Sequence, residues 1–308
     1  MVINRKALIW FLILAFAPAW VLFTLPMAFG EPGTSTRQVA SLVCLTLAMW
    51  MPGLSALVVR RWVEGRPIRS LNLRRLGPRR AYLWAWLVPP FLAVLTGLLT
   101  WIFGLGVLDT NFTLIRESMQ AAPGGAAVPP ALVVAIQAVF GFTLGALFNT
   151  LFGLGEELGW RGYLLPGLLG LGQWRAILVS GVIWGVWHAP IILQGHNYPE
   201  HPVPGVFMMV VFCVLMGTIF SWLYLWTRSP WAPALGHGSL NAIAGLPLLF
   251  LTGVDLAFGG TLTSLVGWIP LAAFVAWLAW SRRLPVQAET VSRETMDAGA
   301  EEPAIGIE

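Results

Sequence analysis

A succession of apolar runs, each near the ~20 residues that a helix needs to cross a bilayer, constrains this chain more than any other feature. They cover residues 7–29, 38–59, 81–107, 130–156, 174–193, 205–227, 232–251 and 262–280. In lipid the backbone must satisfy its own hydrogen bonds, so such runs become helices. The expected fold class is therefore all-α: a polytopic membrane protein with about eight transmembrane helices. Composition agrees. Of 308 residues, 57% are hydrophobic and only 10% charged, whereas a soluble domain carries about 25% charged residues.

The domain reading is correspondingly simple. Residues 1–280 form one transmembrane domain, and residues 281–308 read as a polar, acidic and disordered tail. The first run competes with a signal peptide, because Ala15-Phe16-Ala17 resembles a cleavage site, but its length favours a retained helix. Polar loops are expected at 109–128 and 194–204. Cys44 and Cys213 both fall inside apolar runs, so neither a disulfide framework nor a cysteine metal cluster is expected.

The sequence pI of 9.6 comes from loop arginines and does not indicate nucleic-acid binding. Residues 60–80 hold eight arginines, and Arg161, Arg175, Arg228 and Arg282 fall on the same side in an eight-span chain. Only Arg37 and Arg116 fall on the other. The positive-inside rule then puts both termini in the cytoplasm. Short loops and the lack of a soluble module suggest a bacterial inner (plasma) membrane.

Against this background the stretch Gly155-Glu156-Glu157-Leu158-Gly159-Trp160-Arg161 stands out. An ionisable group at the bilayer centre costs roughly 2.5–3.5 kcal/mol on insertion scales. Glu157 and Arg161 are spaced i,i+4 with the acid first, the order that suits an ion pair, which leaves Glu156 for chemistry. The other polar groups inside the runs are His188, one turn after Trp184, and His237, one turn before Asn241. Taken singly, His188 reads as a packed core histidine and Asn241 as an interhelical hydrogen-bonding residue. Gly141 with Gly145, and Gly181 with Gly185, read as helix-packing faces. Together the polar residues offer three helices' groups to one cavity.

At these residues the chain resembles the CAAX-protease and bacteriocin-processing family of intramembrane proteases, also called the Abi family. That family includes the prenyl-protein endopeptidase Rce. Its pattern is Glu-Glu-x-x-x-Arg, an aromatic residue then x-x-x-His, and His-x-x-x-Asn. Here these are Glu156-Glu157-Leu-Gly-Trp-Arg161, Trp184-Gly-Val-Trp-His188 and His237-Gly-Ser-Leu-Asn241, within a motif core at 130–251. Trp184 departs from the commoner Phe. The resemblance implies peptide-bond hydrolysis within the membrane, on a membrane-associated protein or peptide, prenylated or not. It implies Glu156 as general base, His188 orienting the attacking water, and His237 and Asn241 stabilising the oxyanion. Glu157, Arg161 and Trp184 would support them. A carboxylate held in a low-dielectric cavity is a stronger base than one in water.

Glu156, His188 and His237 also match the three-ligand set of a catalytic Zn²⁺, so a zinc-held and a glutamate-activated water are both compatible with the same residues. Two other classes remain open from sequence: a non-catalytic scaffold or immunity-type protein, and an ion-coupled transporter using Glu156 as a proton site. Helix arithmetic adds a condition. His188 lies about 21 Å along a helix that starts at Trp174, and His237 about 9 Å along its own. If Glu156 sits at the cytoplasmic end of its span, convergence requires the fifth span to start near Ser180, with residues 159–173 partly re-entrant.

Overall fold

A computed structural model describes residues 4–31, 33–120 and 128–286. The first hairpin joins α1 (Arg5–Thr24), prolonged by a 3-10 turn at Leu25–Phe29, to α2 (Ser35–Val58), which ends in a π turn at Val59–Val63. Next come α3 (Arg79–Ile102) and the short α4 (Thr113–Gln120), a helix within the expected 109–128 loop. Then α5 (Pro130–Phe140), a π turn (Gly141–Gly145) and α6 (Ala146–Gly159) run on. A second π turn (Trp160–Leu164), α7 (Leu165–Leu168) and a 3-10 turn (Leu169–Leu171) continue that rod. The chain ends in α8 (Gln173–Trp187), α9 (Ala189–Ile192), α10 (Pro202–Thr227), α11 (Trp231–Ile243) and α12 (Leu265–Trp280). One antiparallel ribbon, β1 (Val107–Leu108) with β2 (Leu251–Thr252), ties the loop after α3 to the loop after α11.

Large apolar side chains face outward along these helices: Phe91 is 61% exposed, Val139 66% and Leu147 61%. Such a surface is a liability in water and the natural one in acyl chains. Among the described residues, five helices are long and apolar enough to cross a membrane: Arg5–Phe29, Ser35–Val63, Arg79–Ile102, Pro130–Leu171 and Pro202–Thr227. This is an all-α membrane protein. At the other three expected spans, α8, α11 and α12 hold 15, 13 and 16 residues. Pro190 breaks α8 because it has no amide and its ring crowds the preceding turn. The Trp187 carbonyl at that break accepts instead from Trp20 Nε1 at 3.0 Å. α11 stops at Ile243, short of the expected 251, where Gly245 and Pro247 end the helical pattern.

The two ends of the bundle differ in charge. One gathers Lys6, the basic loop 60–80, Arg228 and Arg283; here Arg75 donates to the Thr227 carbonyl and Trp231 to the Leu73 carbonyl. The other, or far, end holds Arg37 and Arg116 among acids. Its loops are clasped by Tyr198 on the Thr263 carbonyl and His201 on Asp255.

The depth condition is resolved in a way that differs from the expectation. Helix α8 does begin at Gln173, and nothing in 159–173 is re-entrant. Convergence arises because Glu156 is not at the end of its helix. From the turn at Gly172, Glu156 and His188 both lie about 24 Å along their helices at 1.5 Å per residue, so they reach the same depth.

Six residues of the expected tail, 281–286, are described. Residues 281–286 pack on the bundle: Leu284 is buried, and Gln173 exchanges two hydrogen bonds with the Val286 backbone, at 2.9 and 2.8 Å. Residues 287–308 lie outside the described residues.

Candidate functional site

Close helix crossings set the site. A Cβ on Gly155 would lie 2.6 Å from the Met49 carbonyl oxygen, and one on Gly53 2.5 Å from that of Gly155. Thus α2 and α6 touch backbone to backbone beside Glu156, as small residues permit. Across α6, Gly153 faces the His237 Cβ at 3.0 Å, and Gly238 abuts the Thr150 backbone. Gly185 holds α8 against Val210 of α10, where a Cβ would come within 2.5 Å. Gly181 packs on the same helix and Gly141 on α11, whereas Gly145 meets Phe140, the last residue of α5.

These contacts bring the three motifs together. Glu157 and Arg161 are 0% and 1% exposed, and Arg161 donates to Glu157 Oε1 at 2.8 Å. His237 Nδ1 lies 2.9 Å from the same oxygen, in the geometry of an N–H donor. Glu157 therefore binds both the arginine of its own helix and the histidine of α11, which is more than support for one motif. The Arg161 guanidinium lies 4.3 Å over the Trp184 ring and within 5.5 Å of Phe220. A cation–π contact helps hold a buried charge in such a place.

Glu156 is 2% exposed, and it is not free. Its Oε2 accepts from Trp184 Nε1 at 2.7 Å and from Trp160 Nε1 at 3.4 Å. The Phe more common at position 184 would lack that donor. The other oxygen, Oε1, lies 3.8 Å from His237 Nε2. That gap is too long for a direct hydrogen bond and leaves room for a third polar atom within reach of both. His237 is stacked on Phe220, with ring centroids 5.5 Å apart.

His188 ends α8 at the Pro190 break. Its Nδ1 lies 2.9 Å from the Trp184 carbonyl, so the tautomer assigned by this contact carries the proton there and turns Nε2 away. Asn241 lies one turn beyond His237 on the cavity wall, and its side chain has no hydrogen bond among the described residues. Glu156, Trp184, His188, His237 and Asn241 all line a single cavity of about 730 Å³.

The zinc set does not gather. Catalytic zinc holds its ligands at about 2.0–2.2 Å, so their donor atoms crowd together. Among the described residues, the group of three His, Cys, Asp or Glu with ligand atoms all within 4.8 Å is Glu200, His201 and Asp255 at the far end. Glu156, His188 and His237 are spread more widely, and the inner nitrogens of both histidines face protein oxygens. These residues do not fit the ion in this arrangement.

Several cavity residues escaped the motif reading. His196 and Asn197 come from the loop expected to be merely polar, folded inward through positive φ at Gly195 and Asn197. The Gly195 after Gln194 was the available signal for that turn. Trp160 stands one turn after Glu156, the same i,i+4 spacing that links Glu157 to Arg161, so spacing was its available signal; no local pattern marks Phe220 as the partner of His237.

Residues 135–243 match the family model described as type II CAAX prenyl endopeptidase, Rce1-like. The match includes all three motifs. No curated protein matches the chain.

Proposed function

We propose, on the premise that residues 135–243 are an Rce1-like domain, that this membrane protein is an endopeptidase working within the bilayer through a glutamate-activated water. One observation carries the reading: Glu156 Oε1 and His237 Nε2 face each other across 3.8 Å in the cavity that His188 and Asn241 also line. A water there is within reach of both groups.

In the reaction, Glu156 takes a proton from that water as its oxygen attacks the peptide carbonyl carbon. Trp184 and Trp160 fix the carboxylate so that Oε1 faces the water. His188, with Nδ1 committed to a backbone carbonyl, offers the lone pair of Nε2 to orient the water's second hydrogen. His237 and the Asn241 amide donate to the developing oxyanion, a contribution that is often the largest in acyl transfer. With His237 doubly protonated, two carboxylates, one guanidinium and one imidazolium sum to zero charge, which suits a buried cluster. Glu156 then passes its proton to the leaving nitrogen as the C–N bond breaks. The substrate class is a membrane-associated protein or peptide.

The test is cleavage of a fluorogenic membrane-proximal peptide by the detergent-purified protein. Glu156→Gln keeps an acceptor for Trp184 but cannot take a proton, and its rate is expected to fall by at least the ~10²–10⁴-fold typical of a lost general base. An unchanged rate sinks the assignment.

A further inference from the structure

Among the described residues, the cavity lining reaches one end of the bundle and not the other. Near Glu156 it is closed on the basic side by the α2–α6 crossing at Gly53 and Gly155, and by the buried Glu157–Arg161 pair. Its mouth is built from far-end loops: His196 and Asn197 before α10, and Leu256 with Thr261 to Thr263 before α12. Helix α2 contributes Leu42, Leu45 and Thr46 from the half that starts at the far end, and Met49 just past its middle. No residue of the basic loops lines it.

The cavity also has a side opening. Beyond the glycine crossing, α2 and α6 leave Leu42 67% exposed and Phe148 59% exposed, although both line the cavity. This opening faces acyl chains. The lining near it is mostly apolar, from Leu45, Met49, Phe152, Met209 and Phe212, with Thr46 and Asn149 as its polar members.

Charge fixes which way this points. The loop 60–80, Lys6, Arg228 and Arg283 sit at the closed end; Glu31, Asp109, Glu117, Glu200 and Asp255 sit at the open one. Loops rich in arginine are kept in the cytoplasm. We infer that the cavity receives its substrate from the extracytoplasmic half of the bilayer, as an apolar membrane-inserted peptide segment entering between α2 and α6. This rests on the endopeptidase reading above. A prenylated carboxy terminus presented at the cytoplasmic face would meet the closed end, so the substrate class differs from the one in the family's description.

Two arms test it in the membranes of a bacterial host, with the full-length chain. In the first, a membrane-impermeant maleimide is applied to intact spheroplasts carrying His196→Cys at the mouth or Arg74→Cys at the basic end. The native protein, whose two cysteines are buried, is the blank. Labelling of His196→Cys before permeabilisation, and of Arg74→Cys only after it, is expected; the reverse pattern overturns the inference.

The second arm compares two single-span reporters. One carries an uncharged apolar cleavage segment in the extracytoplasmic third of its span, and the other ends in a prenylated cysteine at the cytoplasmic face. Cleavage of the first alone, lost in Glu156→Gln, is expected. Cleavage of the second alone overturns the inference. If neither is cut, and the purified protein also leaves the fluorogenic peptide intact, the endopeptidase reading fails. In that case the labelling arm still decides which side the cavity faces.

Discussion

The indole N–H of Trp184 donates to Glu156 Oε2 at 2.7 Å, joining α8 to α6 across 28 residues of sequence. A hydrogen bond to a charged group contributes about 1.5–3 kcal/mol. Trp184→Phe removes this donor while keeping a ring beneath Arg161. It is expected to leave the protein folded and lower kcat several-fold, with KM little changed, because the carboxylate is held less firmly. Trp184→Ala also removes the cation–π surface and is expected to lower the melting temperature in detergent. Steady-state kinetics and a thermal melt on both variants check this.

Breaking the Glu157–Arg161 pair tests a different link. Removing one partner of a buried ion pair costs about 3–5 kcal/mol, because the other charge is left uncompensated. Arg161→Ala is therefore expected to melt well below the native protein and to lose activity, since His237 shares the Glu157 oxygen. Glu157→Gln retains an acceptor for both partners and is expected to melt closer to native. Equal stability of Arg161→Ala and native protein contradicts the structural role.

Helix spacing gives a third expectation. A Cβ at Gly238 meets the Thr150 backbone, whereas one at Gly245 meets nothing within 4 Å. Overpacking of a tight core costs typically 1–3 kcal/mol. Gly238→Ala should push α11 from α6, separate His237 from Glu156 and lose most activity. Gly245→Ala should behave as native in the same melt and cleavage assay.

Chelation separates the two sources of the attacking water. With Glu156, His188 and His237 spread beyond a zinc-sized set, prolonged incubation with a tight zinc chelator is expected to leave the cleavage rate unchanged. Loss on chelation, with recovery on adding back Zn²⁺, contradicts this.

The far-end clasp predicts an acid effect. Burial pulls the Asp255 carboxyl upward, but hydrogen bonds from His201 and the Ala257 amide outweigh it, and the group is held below its ordinary value. A carboxylate depressed in the folded state stabilises above its unfolded value, about 3.9. That contribution is lost as pH falls through the folded value. The native protein should therefore lose more of its melting temperature below about pH 4 than Asp255→Asn does. The difference is expected to be small, because the pair is partly exposed and solvent screens it.

How much was legible follows from what each contact depends on. Glu157 with Arg161, and His237 before Asn241, are one-turn relationships that helix geometry fixes wherever the helix lies, so spacing alone exposed them. The apolar runs likewise announced helices in lipid. They did not announce helix ends: α8 and α11 stop early because Pro190, Gly245 and Pro247 outweigh hydropathy. Nor did they mark residues 281–286 as packed, since that depends on Gln173 far away in the chain.

The register between helices is a product of packing. Local pattern specified a helical membrane chain with three polar motifs, each intact on its own helix. It left Glu156 at the wrong depth, because the continuation of α6 through a π turn to Leu171 is set by packing and not by local pattern. It could not pair Glu157 with His237, 80 residues apart, or show that the cavity opens away from the arginines. Those facts come from where glycines let backbones meet, and a close approach is a property of two surfaces that neither segment encodes alone.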